Sequence, residues 1–96
     1  MSEGESKPAG PHRFTDHYEF QADFRGETLR YTESGRSAEM MWTWNNAYRI
    51  YTSSLTTWIN SDGTSSPVTE EERAEIVRRA IKYAQEAQGV KLIVES

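Results

Sequence analysis

The chain contains no cysteine, which excludes disulfides, thiolate nucleophiles and cysteine-based zinc sites and fits a reducing cytoplasm. Long apolar runs are missing too: no stretch approaches the ~18 consecutive apolar residues of a membrane helix. The opening MSEGESKPAGP carries acids and no hydrophobic segment, so no signal peptide and no membrane partner is expected. Positive charge is in deficit, with Lys+Arg 11 against Asp+Glu 15 and a net charge of −4, and the pI is near 5.1. General electrostatic attraction to nucleic acid is therefore not expected. Glycine-rich phosphate loops are absent, and His12 and His17 are the only imidazoles.

What the chain does have is material for one small core. Its 96 residues are 35% hydrophobic, 27% charged and 11% aromatic, too few for two cores and too apolar for a disordered chain. Residues 1–13 read as a disordered tail of Gly, Pro, Ser and alternating charge. Residues 14–96 read as a single α+β domain. From Tyr18 the sequence alternates: Tyr18, Phe20, Ala22 and Phe24 face one side, and Glu19, Gln21, Asp23 and Arg25 the other. That period of two is the signal of a half-buried strand. It returns over Glu27 to Glu33, over Ser37 to Trp44 and over Ala47 to Tyr51, with turns at Arg25-Gly26, Ser34-Gly35 and Asn45-Asn46.

Ser53 to Trp58 breaks the alternation, as a turn or a short 3₁₀ segment would, and Ile59 to Pro67 reads as a loop. A helix is predicted from Thr69 to about Gly89. Thr69 can cap it, Glu72 three residues on completes a capping box, and Glu70 to Glu72 oppose the positive end of the dipole. Ile76, Val77, Ala80, Ile81 and Ala84 form one apolar stripe, and Gly89 suits the left-handed C-terminal position. Val90, Leu92 and Val94 form a last strand, dense enough in apolar residues to suggest a covered place in the sheet. The expected fold is α+β: an antiparallel meander of four to five strands, covered on one face by a single C-terminal amphipathic helix, then a short last strand. Trp42 belongs to the core, and Trp58 should latch the following loop to it.

Candidates for chemistry do not combine. His12 and His17, five apart with Asp16 and Glu19 nearby, match neither the helical nor the strand spacing of a metal pair. Ser34, Ser53 and Ser54 lack a base to activate them. Asp23, Glu27 and Glu39 can be drawn as carboxylate pairs but read as a solvated face. No cofactor, no metal and no catalytic residue is expected. The aromatic side chains Phe20, Tyr31, Trp42, Trp44 and Tyr48 fall on the face the helix should claim, which disfavours a base-stacking platform. The helix back, including Glu75, Arg78, Arg79 and Lys82, is expected to be solvated.

The segment Ile50-Tyr51-Thr52-Ser53-Ser54-Leu55-Thr56-Thr57-Trp58, followed by Pro67-Val68-Thr69-Glu70-Glu71-Glu72-Arg73-Ala74-Glu75-Ile76, resembles a family of small α+β immunity proteins of bacterial polymorphic toxin systems (immunity protein 74-like). The likeness covers about residues 18 to 84, and its distinctive part is Ser53, Ser54, Leu55 and Trp58. The chain departs from the family at Ile59-Asn60-Ser61-Asp62, where an early proline is the pattern. The resemblance implies a cytoplasmic protein that binds and neutralises one cognate toxin, and it carries over no toxin-contacting residue.

The expectation is thus a non-enzymatic protein-binding domain whose partner is a toxin. A small adaptor or regulatory subunit, and a sheet that binds single-stranded nucleic acid, are the alternatives. The candidate partner-binding residues are Glu19, Asp23, Glu39, Met41, Arg49 and Tyr51, acid around a small apolar centre. Trp42, Ser53, Ser54, Trp58, Thr69 and Glu72 are the structural set.

Overall fold

Alternating segments become strands because one face can be buried while the other meets water. The computed structural model describes residues 12–23, 25, 27–44, 47–87 and 89–95. It places strands at Glu19–Asp23 (β1), Thr28–Glu33 (β2), Arg36–Trp44 (β3) and Tyr48–Tyr51 (β4). They pair antiparallel in chain order, with Phe20 opposite Tyr31, Tyr31 opposite Ala38 and Trp42 opposite Ile50. Between β2 and β3 both turn residues are left-handed, Ser34 at φ 54° and Gly35 at φ 78°, the condition for a type I′ hairpin. Before β2, Glu27 takes positive φ, 55°, and its carbonyl accepts a 2.9 Å bond from the Trp42 amide. The tail to residue 11, Phe24, Gly26, the Asn45-Asn46 turn and the Trp44 side chain lie outside the described residues.

After β4 a 3₁₀ turn spans Thr52–Ser54. The Ser54 hydroxyl donates to the Tyr51 carbonyl at 2.5 Å and accepts from the Met41 amide at 2.7 Å, fastening the turn to β3. The expected loop from Ile59 to Pro67 is instead a hairpin of Thr57–Ile59 (β5) and Ser65–Pro67 (β6). β5 joins β3 at Ser37↔Ile59 and Ala38↔Trp58, so the first part of β3 borders β5 and the last part borders β4. Three-residue strands are too short to show alternation. Pro67 is tolerated because, among the described residues, β6 pairs with β5 alone.

The helix, Glu70–Ala87 (α1), begins at a full capping box. Thr69 Oγ1 accepts from the Glu72 amide at 3.1 Å, and Glu72 Oε1 accepts from the Thr69 amide at 3.0 Å. At the far end Gly89 is left-handed (φ 67°), and the Val90 amide bonds the Ala84 carbonyl at 3.0 Å. The last strand, Leu92–Glu95 (β7), pairs parallel with β4 and ends the main strand order β1-β2-β3-β4-β7. Its apolar density therefore does not mean cover: β7 is an edge strand with Val94 43% exposed. The fold is α+β, with a mixed sheet and one helix. None of its described helices is long and apolar enough to cross a membrane.

The core lies between sheet and helix. Leu29, Tyr31, Trp42, Ile50, Leu55, Trp58, Ile76 and Ala80 are wholly buried, and Phe14, Phe20, Tyr48 and Tyr83 pack against them. Residues 1–13 do not all belong to a tail. His12 is buried, its ring stacked on Trp58 at 4.4 Å and edge-on to Phe14 at 4.6 Å. The tail reading is thus corrected at His12, because polar neighbours in the sequence concealed a residue that finds carboxylate acceptors and rings in the core. The Trp42 ring lies 5.0 Å from that of Tyr48 in this core. Trp42→Ala should destabilise the domain by about 3–5 kcal/mol, measured by urea denaturation. A loss under about 1 kcal/mol would mean that the core does not centre on this ring.

Candidate functional site

Two sites on this scaffold carry chemistry-bearing side chains, one inside and one outside. Inside, β2 and α1 each bring one carboxylate out of water. Glu33 accepts hydrogen bonds from Tyr31 Oη, the Thr15 amide and His12 Nε2, the last at 2.8 Å, with Arg79 Nη1 3.8 Å away. Glu72 accepts from the His12 amide at 2.7 Å and from Trp58 Nε1 at 2.9 Å, besides its cap bond. Burial pushes both carboxyls up, but these donors outweigh it and hold each below the ordinary value. Burial, then the neighbouring Glu33, raises the Tyr31 phenol.

The His12 ring is held at both nitrogens in this setting. Arg36 Nη1 lies 3.1 Å from Nδ1 and can only donate, so Nδ1 accepts and the ring proton sits on Nε2, facing Glu33. Both nitrogens are engaged and both ring contacts are aromatic. His17 is exposed, its amide bonded to Thr15 Oγ1. Among the described residues there is no group of three His, Cys, Asp or Glu side chains that could hold a metal ion.

Arg79 corrects the expectation of a wholly solvated helix back. It is buried between rings, 4.4 Å from Tyr18 and 5.1 Å from Phe14. From there it donates to the Thr15 carbonyl, Tyr31 Oη and Glu75. Bonds from Arg78, and then from Arg79, hold the Glu75 carboxyl at about 2. Trp58 is clamped from three sides: by His12, by Glu72, and by the Arg36 guanidinium 4.6 Å over its ring.

Outside, strand register gathers all six candidate partner-binding residues on the sheet face away from the core. One cross-strand row runs Asp23, Thr28, Met41, Tyr51, Glu95. The next runs Gln21, Arg30, Glu39, and a third joins Thr43, Arg49 and Ile93. Glu19 stands farther off, in the row with Thr32, Ser37 and Ile59. Met41 and Ile59 are each 49% exposed, which makes them the apolar points of this face. A shallow depression of about 600 Å³ opens beside Asp23, Thr28, Arg30 and Glu39.

The face is not simply acidic. Arg30 pairs with Glu39 at 2.8 Å and Arg49 with Glu95 at 2.9 Å, and β1 adds the carboxylates of Glu19 and Asp23. Arg30 and Thr28 follow from alternation alone. Ile59 and Glu95 do not, since neither β5 nor the β4–β7 pairing is visible in the sequence. Of the structural set, Ser54, Trp58, Thr69 and Glu72 make the contacts given above, and Ser53 is exposed. Tyr31, Trp42 and Trp58 are fully buried and present no ring face to a nucleic-acid base.

In comparisons with known proteins, no family model, curated protein or solved structure matches the chain.

The carboxylates of Glu33, Glu72 and Glu75 give the fold a defined response to acid. A group whose pKa is lowered on folding stabilises the native state above its unfolded value, here 4.5 for Glu75, and loses that contribution as the pH falls toward about 2. Glu33 and Glu72, lowered in the same direction, add to the loss. Thermal melts between about pH 6 and pH 2 should show the melting temperature falling continuously. Glu75→Gln should melt lower than the parent at the upper end and give a shallower slope below. An unchanged slope would separate Glu75 from the acid response.

Proposed function

We propose that this chain is a non-enzymatic protein-binding domain, an immunity protein that works in the bacterial cytoplasm by seating its outward sheet face on one cognate toxin. The observation that carries this reading is the pairing of two unlike faces. One is closed by α1, and the other keeps Met41, Ile59 and Tyr51 among charged residues. Apolar anchors set among charges suit recognition by occlusion, which requires a complementary surface rather than reacting groups. The interior polar groups support the same reading, because each is spent on holding the scaffold. The likeness of Ser53, Ser54, Leu55 and Trp58 to immunity proteins supplies the toxin as partner.

Glu19 and Asp23 on β1 favour approach to a basic cleft, of the kind that binds RNA or DNA, while Met41 and Tyr51 hold the complex once formed. The test is binding kinetics against any toxin domain that a gene adjoining this one encodes. Reversing Glu19, Asp23 and Glu39 to Lys should slow association roughly tenfold and flatten its salt dependence. Tyr51→Ala should leave association near the parent rate and speed dissociation roughly tenfold. Parent-like kinetics in both variants would remove the outward face from the interface. No binding by the parent would remove the toxin assignment itself.

A further inference from the structure

We infer that β7 is a self-pairing edge through which two copies of this chain join into one continuous sheet. Among the described residues, only β4 pairs with β7. An open, apolar edge strand is a template for another strand unless charge or shape blocks it. β7 runs Leu92, Ile93, Val94, Glu95, preceded by Lys91. Register with β4 sets Leu92 and Val94 on the helix side and Ile93 and Glu95 on the outward side.

The order of these residues is self-complementary. Bring a second copy alongside, antiparallel, with the two-fold axis through Ile93. Ile93 then meets Ile93 of the second copy once, on the axis, while Leu92 meets Val94 and Lys91 meets Glu95, each of these two pairs twice by symmetry. Apolar residues face apolar residues on both sides of the sheet, and opposite charges face each other at both ends. Moving the axis to Val94 would set Ile93 against Glu95. Only one register satisfies every pair. Val94, the exposed apolar residue of β7, gains cover from Leu92 of the other copy.

The opposite edge argues the other way. Self-pairing of β1 about Gln21 would set Glu19 against Asp23 of the second copy, like charges directly opposed. In the centred register, then, β1 opposes like charges and β7 opposes unlike ones. The two-fold axis through β7 is perpendicular to the sheet, so both helices stand on one side and both outward faces on the other.

Sedimentation equilibrium from roughly 1 μM to roughly 500 μM should show a reversible monomer–dimer equilibrium. Lys91→Glu, at an exposed position, should weaken the dimer roughly tenfold by setting acid against acid at both ends. Ile93→Lys should abolish it, with circular dichroism verifying the monomer fold. The triple exchange of Lys91→Glu, Glu95→Lys and Arg49→Glu should restore the parent constant to within about threefold, because the pairs across the axis and the 49–95 pair within each copy are all re-formed with their signs exchanged. A parent that stays monomeric throughout overturns the inference and leaves the edge to a strand of another protein. A dimer indifferent to Lys91→Glu and Ile93→Lys overturns it as well, and failure of the triple exchange to restore binding overturns the register.

Discussion

The carboxylates of Glu33 and Glu72 are the constraint around which this domain is organised. A charge taken out of water is tolerated only where donors surround it, and breaking such a set costs about 3–5 kcal/mol. The donors come from separate parts of the chain: His12 and Thr15 from the N-terminal segment, Tyr31 from β2, Trp58 from β5 and Thr69 from the helix cap. Satisfying both carboxylates at once therefore fixes where the N-terminal segment, the small hairpin and α1 sit relative to the meander. Apolar contact supplies most of the adhesion between these parts, but it is indifferent to register. The buried polar groups are not.

Register in turn decides what the outward face contains. A slip of one residue in β3 would turn Met41 inward and Trp42 outward, since side chains alternate strictly. Trp42 in the core and Met41 at the surface are two consequences of one alignment. The Arg30–Glu39 and Arg49–Glu95 pairs lie on this same face, exposed enough to add little stability and placed so that they divide the charge of the surface into patches.

How much of this is legible in the sequence depends on whether the cause is local. The meander and the helix are, because alternation and the Thr69–Glu72 box express the physics of a few neighbouring residues. The six surface candidates follow from alternation and share one face. What escapes is whatever depends on distant partners. β5 and β6 are strands only because β3 offers an edge at Ser37 and Ala38. His12 lies in a polar stretch, and nothing beside it announces Glu33 or Trp58. Arg79 has the spacing of a solvated residue and the surroundings of a core one. The apolar density of β7 describes one covered side and one open edge, and composition does not distinguish that from cover on both.

The parallel joining of β4 and β7 ties the end of the sheet to the helix in an entropic sense. Arg49 and Glu95 are 46 positions apart, and closing so long a flexible span restricts the chain substantially before any ladder bond forms. Once α1 is capped and docked, most of that span is already ordered, and only the short connection between α1 and β7 remains to be closed. Strand and helix are thereby coupled: loosening α1 from the core lengthens the loop that β7 must close. The outermost strand is thus held by its four residues of pairing and, equally, by the rigidity of the helix that precedes it.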